Sequence, residues 1–310
     1  MAVKKEYTYP SRDGVTQIHA YTWTPDDGNV RAIFQIVHGM VESMERYDDF
    51  ACFLSTKGFL VVGNDHLGHG KTAVNGKGFG YFAKENADVI LVRDVHRLKK
   101  ITEEQYPGIP YFIMGHSMGS FIFRKYMTMY GKGIDGAIVM GTGCAPDYMT
   151  KSGILVCKIL KLFHGEHYVS NFVYKLAFGT YNKRVENHRT PSDWLSTDAA
   201  VVDAYCNNPM CQFRFTLNGY ITLFTLISYV NKKKNLLTIP KDLPVYITSG
   251  NEDPVGNYGK WPKKLYEMFK SLGIKDLEIK MYDNYRHEPL NEAGHEKVYE
   301  NILNWLEKHV

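Results

Sequence analysis

Residues 110–119, PYFIMGHSMG, decide the fold of this chain. The first five residues are apolar or aromatic, which is typical of a buried strand, and the apolar positions of residues 120–127 repeat with the period of a helix. A Gly-x-Ser-x-Gly turn between a strand and a helix is a nucleophile elbow, because small residues on both sides of the serine let the backbone bend sharply. The turn exposes the hydroxyl group of Ser117, which is therefore the candidate nucleophile.

Strands and helices alternate on both sides of this elbow. Residues 4–9 and 17–24 predict a hairpin around the Asp13-Gly14 turn. Helical patterns occur at residues 44–57, 87–106 and 261–272. Apolar segments predict further strands, at residues 32–37, 59–63, 110–114, 136–140, 245–249 and 277–282. This alternation predicts the α/β class, with a mostly parallel central sheet flanked by helices.

The alternation stops between residues 143 and 242, where only helical patterns and loops occur. A helical block of about 100 residues between two strands is far longer than an ordinary connection. We therefore predict a core whose first part is residues 1–142, an inserted helical cap at residues 143–242, and a second part of the core at residues 243–310. A chain of 310 residues is long enough for one such core with an insert.

Two residues that could activate Ser117 follow it in the required order. A serine hydroxyl is a weak nucleophile at neutral pH and needs a neighbouring base, which is itself oriented by a carboxylate. In this kind of fold the acid follows the strand after the insert, and the histidine follows the last strand. Asp253 and His287 stand at these two positions. They are the predicted acid and base.

Two other carboxylates, Glu252 and Asp283, are alternative acids. We prefer Asp253 because Pro254 follows it directly and restricts the loop that must aim its side chain.

The oxyanion of a tetrahedral intermediate needs backbone N–H donors. One is predicted at Met118, because the first amides of a helix have no partner within the helix. The other is predicted in the loop His38-Gly39-Met40, which follows the strand at residues 32–37. The N–H group of Met40 is the natural second donor.

Residues 65–70, DHLGHG, contain two histidines and one carboxylate. Without a further ligand pattern these are too few for a metal site. We expect no metal, and interpret the turn as a hydrogen-bonded support for the elbow.

The composition excludes several classes of protein. The net charge is +4 and the lysines are scattered, so no nucleic-acid partner is expected. The five cysteines are odd in number and widely spread, which predicts reduced thiols. No apolar run approaches the ~20 residues that span a bilayer, and residues 1–6 lack the apolar core of a signal peptide, so a cytoplasmic location is expected.

Five motifs together resemble the monoacylglycerol lipase and lysophospholipase branch of the α/β hydrolases. They are HGMVESMERY at 38–47, DHLGHG at 65–70, GHSMG at 115–119, GNEDPV at 250–255 and RHEPLNE at 286–292. The resemblance covers nearly the whole chain except the cap, and implies an α/β-hydrolase fold. It also implies Ser117, Asp253 and His287 as the triad and the amides of Met40 and Met118 as the oxyanion hole, in agreement with the residues themselves.

Two positions depart from the family pattern. Met40 stands where a small residue is frequent, and Ser43 stands where histidine often follows the glutamate. In the family the segment from Glu42 to Arg46 lies near the head-group end of the substrate. Because these two residues are four apart, they could form an ion pair along a helix face. Bracing of the oxyanion loop and binding of the alcohol are both open at this point.

The predicted cap contains a mostly apolar stretch at residues 153–163, with Lys158 and Lys161 on one side. As a helix it could cover an acyl tunnel, rest on a membrane or micelle surface, or pack within the cap. An apolar cap over a serine site favours an acyl chain over a sugar or a phosphate.

These features predict a serine ester hydrolase that acts on monoacylglycerols or related single-chain lipids through an acyl-enzyme on Ser117. No cofactor is expected. The same triad would serve a short-chain carboxylesterase, an acyltransferase or a peptidase, and only the substrate pocket separates them. A non-catalytic binding protein of the same fold is the alternative from another class, and the intact set of site residues argues against it.

Overall fold

The computed structural model describes residues 2–74 and 78–310. The described chain forms an eight-stranded sheet in the order β1-β2-β4-β3-β5-β6-β7-β8. The strands are β1 (Val3–Pro10), β2 (Gln17–Thr24), β3 (Ala32–Val37), β4 (Phe59–Asn64), β5 (Tyr111–His116), β6 (Gly136–Met140), β7 (Val245–Gly250) and β8 (Leu277–Tyr282). β2 pairs antiparallel with β1 and β4, and the other neighbours are parallel. The predicted hairpin and the α/β class are confirmed.

Helices cover both faces of this sheet. The described α-helices are α1 (Asp48–Thr56), α2 (Gly70–Val74), α3 (Ala87–Gln105), α4 (Met118–Tyr130), α5 (Asp147–His164), α6 (Asn171–Phe178), α7 (Ala199–Asn207), α8 (Leu217–Val230), α9 (Lys260–Ser271) and α10 (Glu296–Glu307). Buried residues of α3, α4 and α9 pack on one face, and those of α1 and α10 on the other. Successive strand residues alternate between the two cores, as Ile113 and Met114 of β5 do.

Residues 44–57 differ from the single helix predicted for them. Residues 44–47 form a 3-10 turn, and α1 begins only at Asp48. This tighter turn brings the side chains of Arg46 and Tyr47 to the carboxylate of Glu42, at 2.9 Å each. The 3-10 turn therefore places Arg46 and Tyr47 in contact with the loop that precedes it.

Helices α5 to α8 lie between β6 and β7, which are neighbours in the sheet. Residues 143–242 are all described, and this segment contains no strand. Its last helix, α8, packs against α5 and against α4 of the core. Among the helices of the described chain, none combines the length and the apolar character that a crossing of a bilayer requires.

The order of the strands reverses at β3 and β5. The chain passes from β3 to β4 on one side and then returns to β5 on the other side of β3. In open α/β sheets, ligands bind in the crevice outside the carboxyl ends of the strands at such a point. Val37 at the end of β3 lies opposite Gly115 of β5, so the loop after β3 and the elbow after β5 meet at this crevice.

Candidate active site

Ser117 occupies the sharp turn between β5 and α4. Its φ is +53° and its ψ is −120°, a combination that side-chain-bearing residues rarely adopt. The amide of Ser117 donates to Met140 O at 3.1 Å, which ties the elbow to the neighbouring strand. The fold thus holds the serine in a strained conformation with its side chain half-buried at the mouth of the crevice.

Two glycines around Ser117, Gly39 and Gly119, have no room for a side chain in this structure. A Cβ atom at Gly119 would lie 1.9 Å from Val37 O, and one at Gly39 would lie 2.5 Å from a carboxylate oxygen of Glu42. Because neither neighbour leaves room for a side chain, the elbow and the loop after β3 pack directly on each other.

The structure brings Ser117, His287 and Asp253 together. The Nε2 atom of His287 lies 2.8 Å from Ser117 Oγ, and its Nδ1 atom lies 3.0 Å from Asp253 Oδ1. Asp253 is fully buried, and its carboxylate also accepts from Val255 N at 2.8 Å and Ser249 Oγ at 3.2 Å. These contacts fix the carboxylate and, through it, the orientation of the imidazole ring.

The two alternative acids lie elsewhere. Glu252 and Asp283 are both exposed, and Asp283 accepts a hydrogen bond from Asn251 on the surface. The carboxylate that reaches His287 is that of Asp253.

The amides of Met40 and Met118 both belong to residues that line the cavity above Ser117. Met118 is the first residue of α4, so its N–H group points out of the helix end. Within residues 2–74 and 78–310, no protein acceptor pairs with either amide. Both amides are therefore free to donate to another acceptor.

Glu42 and Arg46 form the predicted ion pair as part of a larger buried group. Arg46 Nη1 lies 2.9 Å from Glu42, and the guanidinium also donates two hydrogen bonds of 2.7 and 2.6 Å to Glu288. Glu42 in turn accepts from Gly39 N at 2.5 Å, next to Met40. These contacts tie Glu42 to Glu288 through Arg46, and both carboxylates also line the cavity above Ser117.

His116, the last residue of β5, also belongs to this buried group. Its Nε2 atom lies 3.0 Å from the carbonyl oxygen of His287, and its Nδ1 atom lies 2.9 Å from Tyr47 Oη. The single hydroxyl hydrogen of Tyr47 is donated to Glu42. Tyr47 therefore accepts from His116 Nδ1, while the carbonyl accepts from Nε2, so both ring nitrogens carry hydrogen and His116 is an imidazolium.

The charges of the group balance. Burial opposes the charged forms, but the contact with Glu42 raises the pKa of His116. Against the same effect of burial, His116 and Arg46 hold the pKa of the Glu42 carboxyl below its ordinary value. With Glu288 as the second anion, two cations face two anions in a buried cluster, which is the condition under which buried charges are tolerated.

Sequence reasoning identified only part of this group. Tyr47 follows Arg46 and Glu288 follows His287, but the contacts of Tyr47 and Glu288 join distant parts of the chain. The position of Glu288 directly after His287 was the available signal.

The turn at residues 65–70 supports the loop after β3 more than the elbow itself. Asp65 accepts from Met44 N and Lys71 N, each at 2.8 Å, and the amide of His66 donates to the Nε2 atom of His38 at 3.0 Å. Throughout the described ranges, no group of three or more histidine, cysteine, aspartate or glutamate side chains is arranged for a metal ion.

A cavity of about 790 Å³ opens above Ser117. This volume lies within the range of small-molecule sites, about 300–1,000 Å³. Its walls come from the core and from the insert, and most of them are apolar. The apolar lining residues include Met40, Met118, Phe121, Met149, Phe178, Leu223, Phe224, Ile227, Val255 and Trp261.

The apolar stretch at residues 153–163 contributes little to this cavity. Gly153 lines it, but Leu155, Leu162 and Phe163 are exposed on the outer side of α5. Helical periodicity alone does not distinguish an inward from an outward apolar face, and here much of that face is turned outward.

The described cysteines Cys52, Cys144, Cys157, Cys206 and Cys211 are free thiols, as predicted.

The parallel sheet, the elbow and the serine–histidine–aspartate arrangement define an α/β hydrolase. The family described as "Serine aminopeptidase, S33" matches residues 28–294, and the chain belongs to this family. It is a serine ester hydrolase.

The relatives cover all or most of the chain. It is 26% identical to a monoacylglycerol lipase of Mycolicibacterium smegmatis, over 100% of this chain and 99% of that protein. It is 26% identical to a monoglyceride lipase of Rattus norvegicus, over 92% of this chain and 84% of that protein. The crystal structure of a thermostable carboxyl esterase from Bacillus coagulans, in complex with glycerol, matches with a TM-score of 0.92 and 29% identity, over 100% of this chain and 99% of that one.

Proposed function

We propose that this enzyme hydrolyses carboxylic esters of single-chain lipids, of the monoacylglycerol type, through an acyl-enzyme on Ser117. The observation that carries the proposal is the 2.8 Å contact between Ser117 Oγ and His287 Nε2 at the base of a largely apolar cavity of about 790 Å³. The names of the two relatives and of the esterase structure support an ester of glycerol as the substrate.

Each site residue has a role in the proposed reaction. His287 Nε2 takes the proton of Ser117 as its Oγ attacks the ester carbonyl, and the oxyanion that forms accepts from the amides of Met40 and Met118. Asp253 accepts from His287 Nδ1 and stabilises the imidazolium. Collapse of the intermediate breaks the ester bond, and His287 gives the proton to the leaving alcohol. Water then releases the fatty acid by the same steps.

We assign the cap role to residues 143–242. Helices α5 and α8 lie above Ser117 and supply cavity walls such as Met149, Leu223 and Phe224. An apolar roof of this kind suits an acyl chain, because each buried methylene is worth about 0.8 kcal/mol.

The outer face of the cap is proposed to contact a lipid surface. Leu162 and Phe163 are 83% and 78% exposed, and large exposed apolar patches mark interaction surfaces. The exposed apolar residues of α5 and α6 lie among lysines, a combination found in helices that bind membrane interfaces. They are Leu155, Ile159, Leu162, Phe163, Phe172 and Leu176, with Lys151, Lys158 and Lys175.

The proposed function is tested by a hydrolysis panel of monoacylglycerols, lysophospholipids, p-nitrophenyl esters and aminoacyl arylamides. Monoacylglycerols are expected to have the highest kcat/KM, and Ser117→Ala should reduce it at least ~10⁴-fold. Asp253→Asn should be far more damaging than its neighbour Glu252→Gln. The proposal is wrong if arylamides or acetyl esters are preferred, or if Ser117→Ala stays active.

The lipid-surface contact has a separate test with a matched control. Leu162→Glu should weaken cosedimentation with phosphatidylcholine–phosphatidylglycerol vesicles, while turnover of a soluble butyryl ester stays unchanged. Leu237→Glu changes another exposed leucine, outside α5 and α6, and should bind vesicles like the wild type. Equal loss of binding in both variants contradicts the assignment.

A further inference from the structure

Arg124 is a fully buried cation on α4, about two turns after Ser117. Its guanidinium donates to Gly143 O at 3.0 Å, Val230 O at 2.7 Å and Asn231 Oδ1 at 3.2 Å. All of these acceptors are neutral, and none of the ion pairs found among the described residues includes Arg124. A buried charge without a counter-ion is costly, so its presence in the core calls for a physical reason.

The acceptors lie at the start of the insert and at the end of its last α-helix. Gly143 is the first residue of the insert, and Val230 and Asn231 stand at the end of α8, before the chain returns to β7 at Val245. Asn231 Nδ2 also donates to Ala145 O at 2.9 Å, which joins these two segments to each other. We call residues 143–145 and 230–232 the two junctions, because one side chain of the core holds both of them.

The end of α8 supplies the missing negative charge in part. Unpaired carbonyl groups at the C-terminal end of a helix carry the negative end of its dipole, which favours a cation there. Burial lowers the pKa of Arg124 to about 10, so the guanidinium is charged at neutral pH.

A hydroxyl chain links the same guanidinium to the elbow. Arg124 Nη1 lies 3.5 Å from Thr142 Oγ1. The Thr142 hydroxyl lies 2.7 Å from Ser120 Oγ, and Ser120 Oγ lies 2.6 Å from Ser117 O. A carbonyl oxygen only accepts, and Ser120 has one hydroxyl hydrogen, so Ser120 donates to Ser117 and Thr142 donates to Ser120. Because arginine has only donors, Arg124 donates to Thr142, and all the hydrogen bonds of this series run in one direction, from Arg124 to Ser117 O.

The junctions that Arg124 holds also shape the cavity. Gly143 and Ala145 line it on one side, and Leu223, Phe224 and Ile227 of α8 line it on the other. A shift of either junction relative to α4 would change the distance between the cap walls and Ser117.

We propose that Arg124 is a positioning residue, which clamps the start of the insert and the end of α8 to the elbow helix α4 and thereby sets the binding of long acyl chains. The part of this inference that concerns acyl chains rests on the proposed function. The clamp itself depends only on the contacts of Arg124.

The test compares Arg124→Met and Arg124→Lys with a control, Lys99→Met. Lys99 is also a buried cation, but it lies on α3, and its contacts with Glu103 and with the ring of Tyr111 are outside the insert. KM and kcat are measured for p-nitrophenyl acetate and p-nitrophenyl dodecanoate, and amide hydrogen exchange is measured at residues 143–145 and 230–232.

We expect Arg124→Met to raise KM for the dodecanoate about tenfold or more, with little change for the acetate, because small misplacements of binding walls have large effects. Exchange should rise at both junctions. Arg124→Lys keeps the charge but loses the planar set of guanidinium donors. Its KM for the dodecanoate and its exchange rates should therefore fall between those of the wild type and those of Arg124→Met. The control should match the wild type in both measurements.

Unchanged hydrogen exchange at both junctions in Arg124→Met overturns the clamp, whether or not Ser117 is the nucleophile. Raised exchange with an equal loss on both esters overturns the role in chain-length selection. If Arg124→Met does not fold, Asn231→Ala replaces it, because it removes contacts at both junctions and should raise KM for the dodecanoate in the same direction. Failure of wild-type hydrolysis on every ester would instead count against the proposed function, since exchange still reports on the clamp.

Discussion

Replacing Arg46 with methionine distinguishes two roles for this residue, bracing of the oxyanion loop and binding of the alcohol part of the substrate. Arg46 is 10% exposed and bridges Glu42 and Glu288, which are 4% exposed each. The substitution leaves two buried carboxylates without their shared cation. Because Glu42 holds the amide of Gly39 beside Met40, the oxyanion loop loses its support as well.

The size of the effect follows from the burial of the group. Removal of one partner from a buried ion pair typically costs about 3–5 kcal/mol of the free energy of unfolding. With an unfolding entropy of about 2.1 cal/mol/K per residue, a chain of 310 residues loses roughly 1.5 °C of Tm per kcal/mol. Arg46→Met should therefore lower Tm by about 5–8 °C.

The assay pairs thermal unfolding with turnover of two esters that share one acyl chain, a monoacylglycerol and a p-nitrophenyl ester. A loosened oxyanion loop should lower kcat for both by the same factor, about tenfold. Arg31→Met is the matched control, since Arg31 forms a similar fork with Glu307 but on the surface, with side chains 35% and 42% exposed. It should cost less than about 1 kcal/mol.

A selective loss on the monoacylglycerol, with Tm unchanged, would refute the brace and assign Arg46 to the alcohol. Equal changes of Tm in Arg46→Met and Arg31→Met would refute the energetic reasoning.

Two further predictions concern His116 and Gly153. The pKa of His116 is raised in the folded state, so its stabilisation is complete below the ordinary histidine value of about 6.5 and is lost as the pH rises through the folded-state value. The Tm difference between the wild type and His116→Gln should therefore shrink from pH 6 to 9, and a difference that stays constant or grows contradicts the imidazolium. A Cβ atom at Gly153 would lie 2.8 Å from the ring of Phe224, so Gly153→Val should push that ring into the cavity. The kcat/KM for long esters should fall roughly fourfold per excluded methylene, while butyryl esters keep theirs, and a uniform loss would contradict this cavity wall.

Much of the fold could be predicted because its core signals are local. The central strands, such as β5, are buried on both faces and read as continuous apolar runs. The elbow depends on small residues around Ser117, and the acid and base follow the ends of particular strands. These signals gave the mostly parallel sheet and a set of candidate residues that the structure brings together.

Other features depend on contacts that no local pattern encodes. Arg46 meets Glu288 across 242 positions of the chain, and Tyr47 meets His116 across 69. The outward face of α5 has the same periodicity as an inward one would have. Arg124 and its neighbour Lys125 are two cations in a mostly apolar helical pattern, and the role of Arg124 emerges only when residues 143–145 and 230–232 of the insert pack on it.

The central claim, an acyl-enzyme on Ser117, is tested most directly by mass spectrometry of the labelled peptide. The protein is quenched in acid during turnover of a p-nitrophenyl dodecanoate, digested, and searched for the dodecanoyl mass. We predict the adduct on Ser117, its absence in Ser117→Ala, and little of it in His287→Ala. An adduct on another residue, or turnover by Ser117→Ala at more than a small fraction of the wild-type rate, would contradict the assignment.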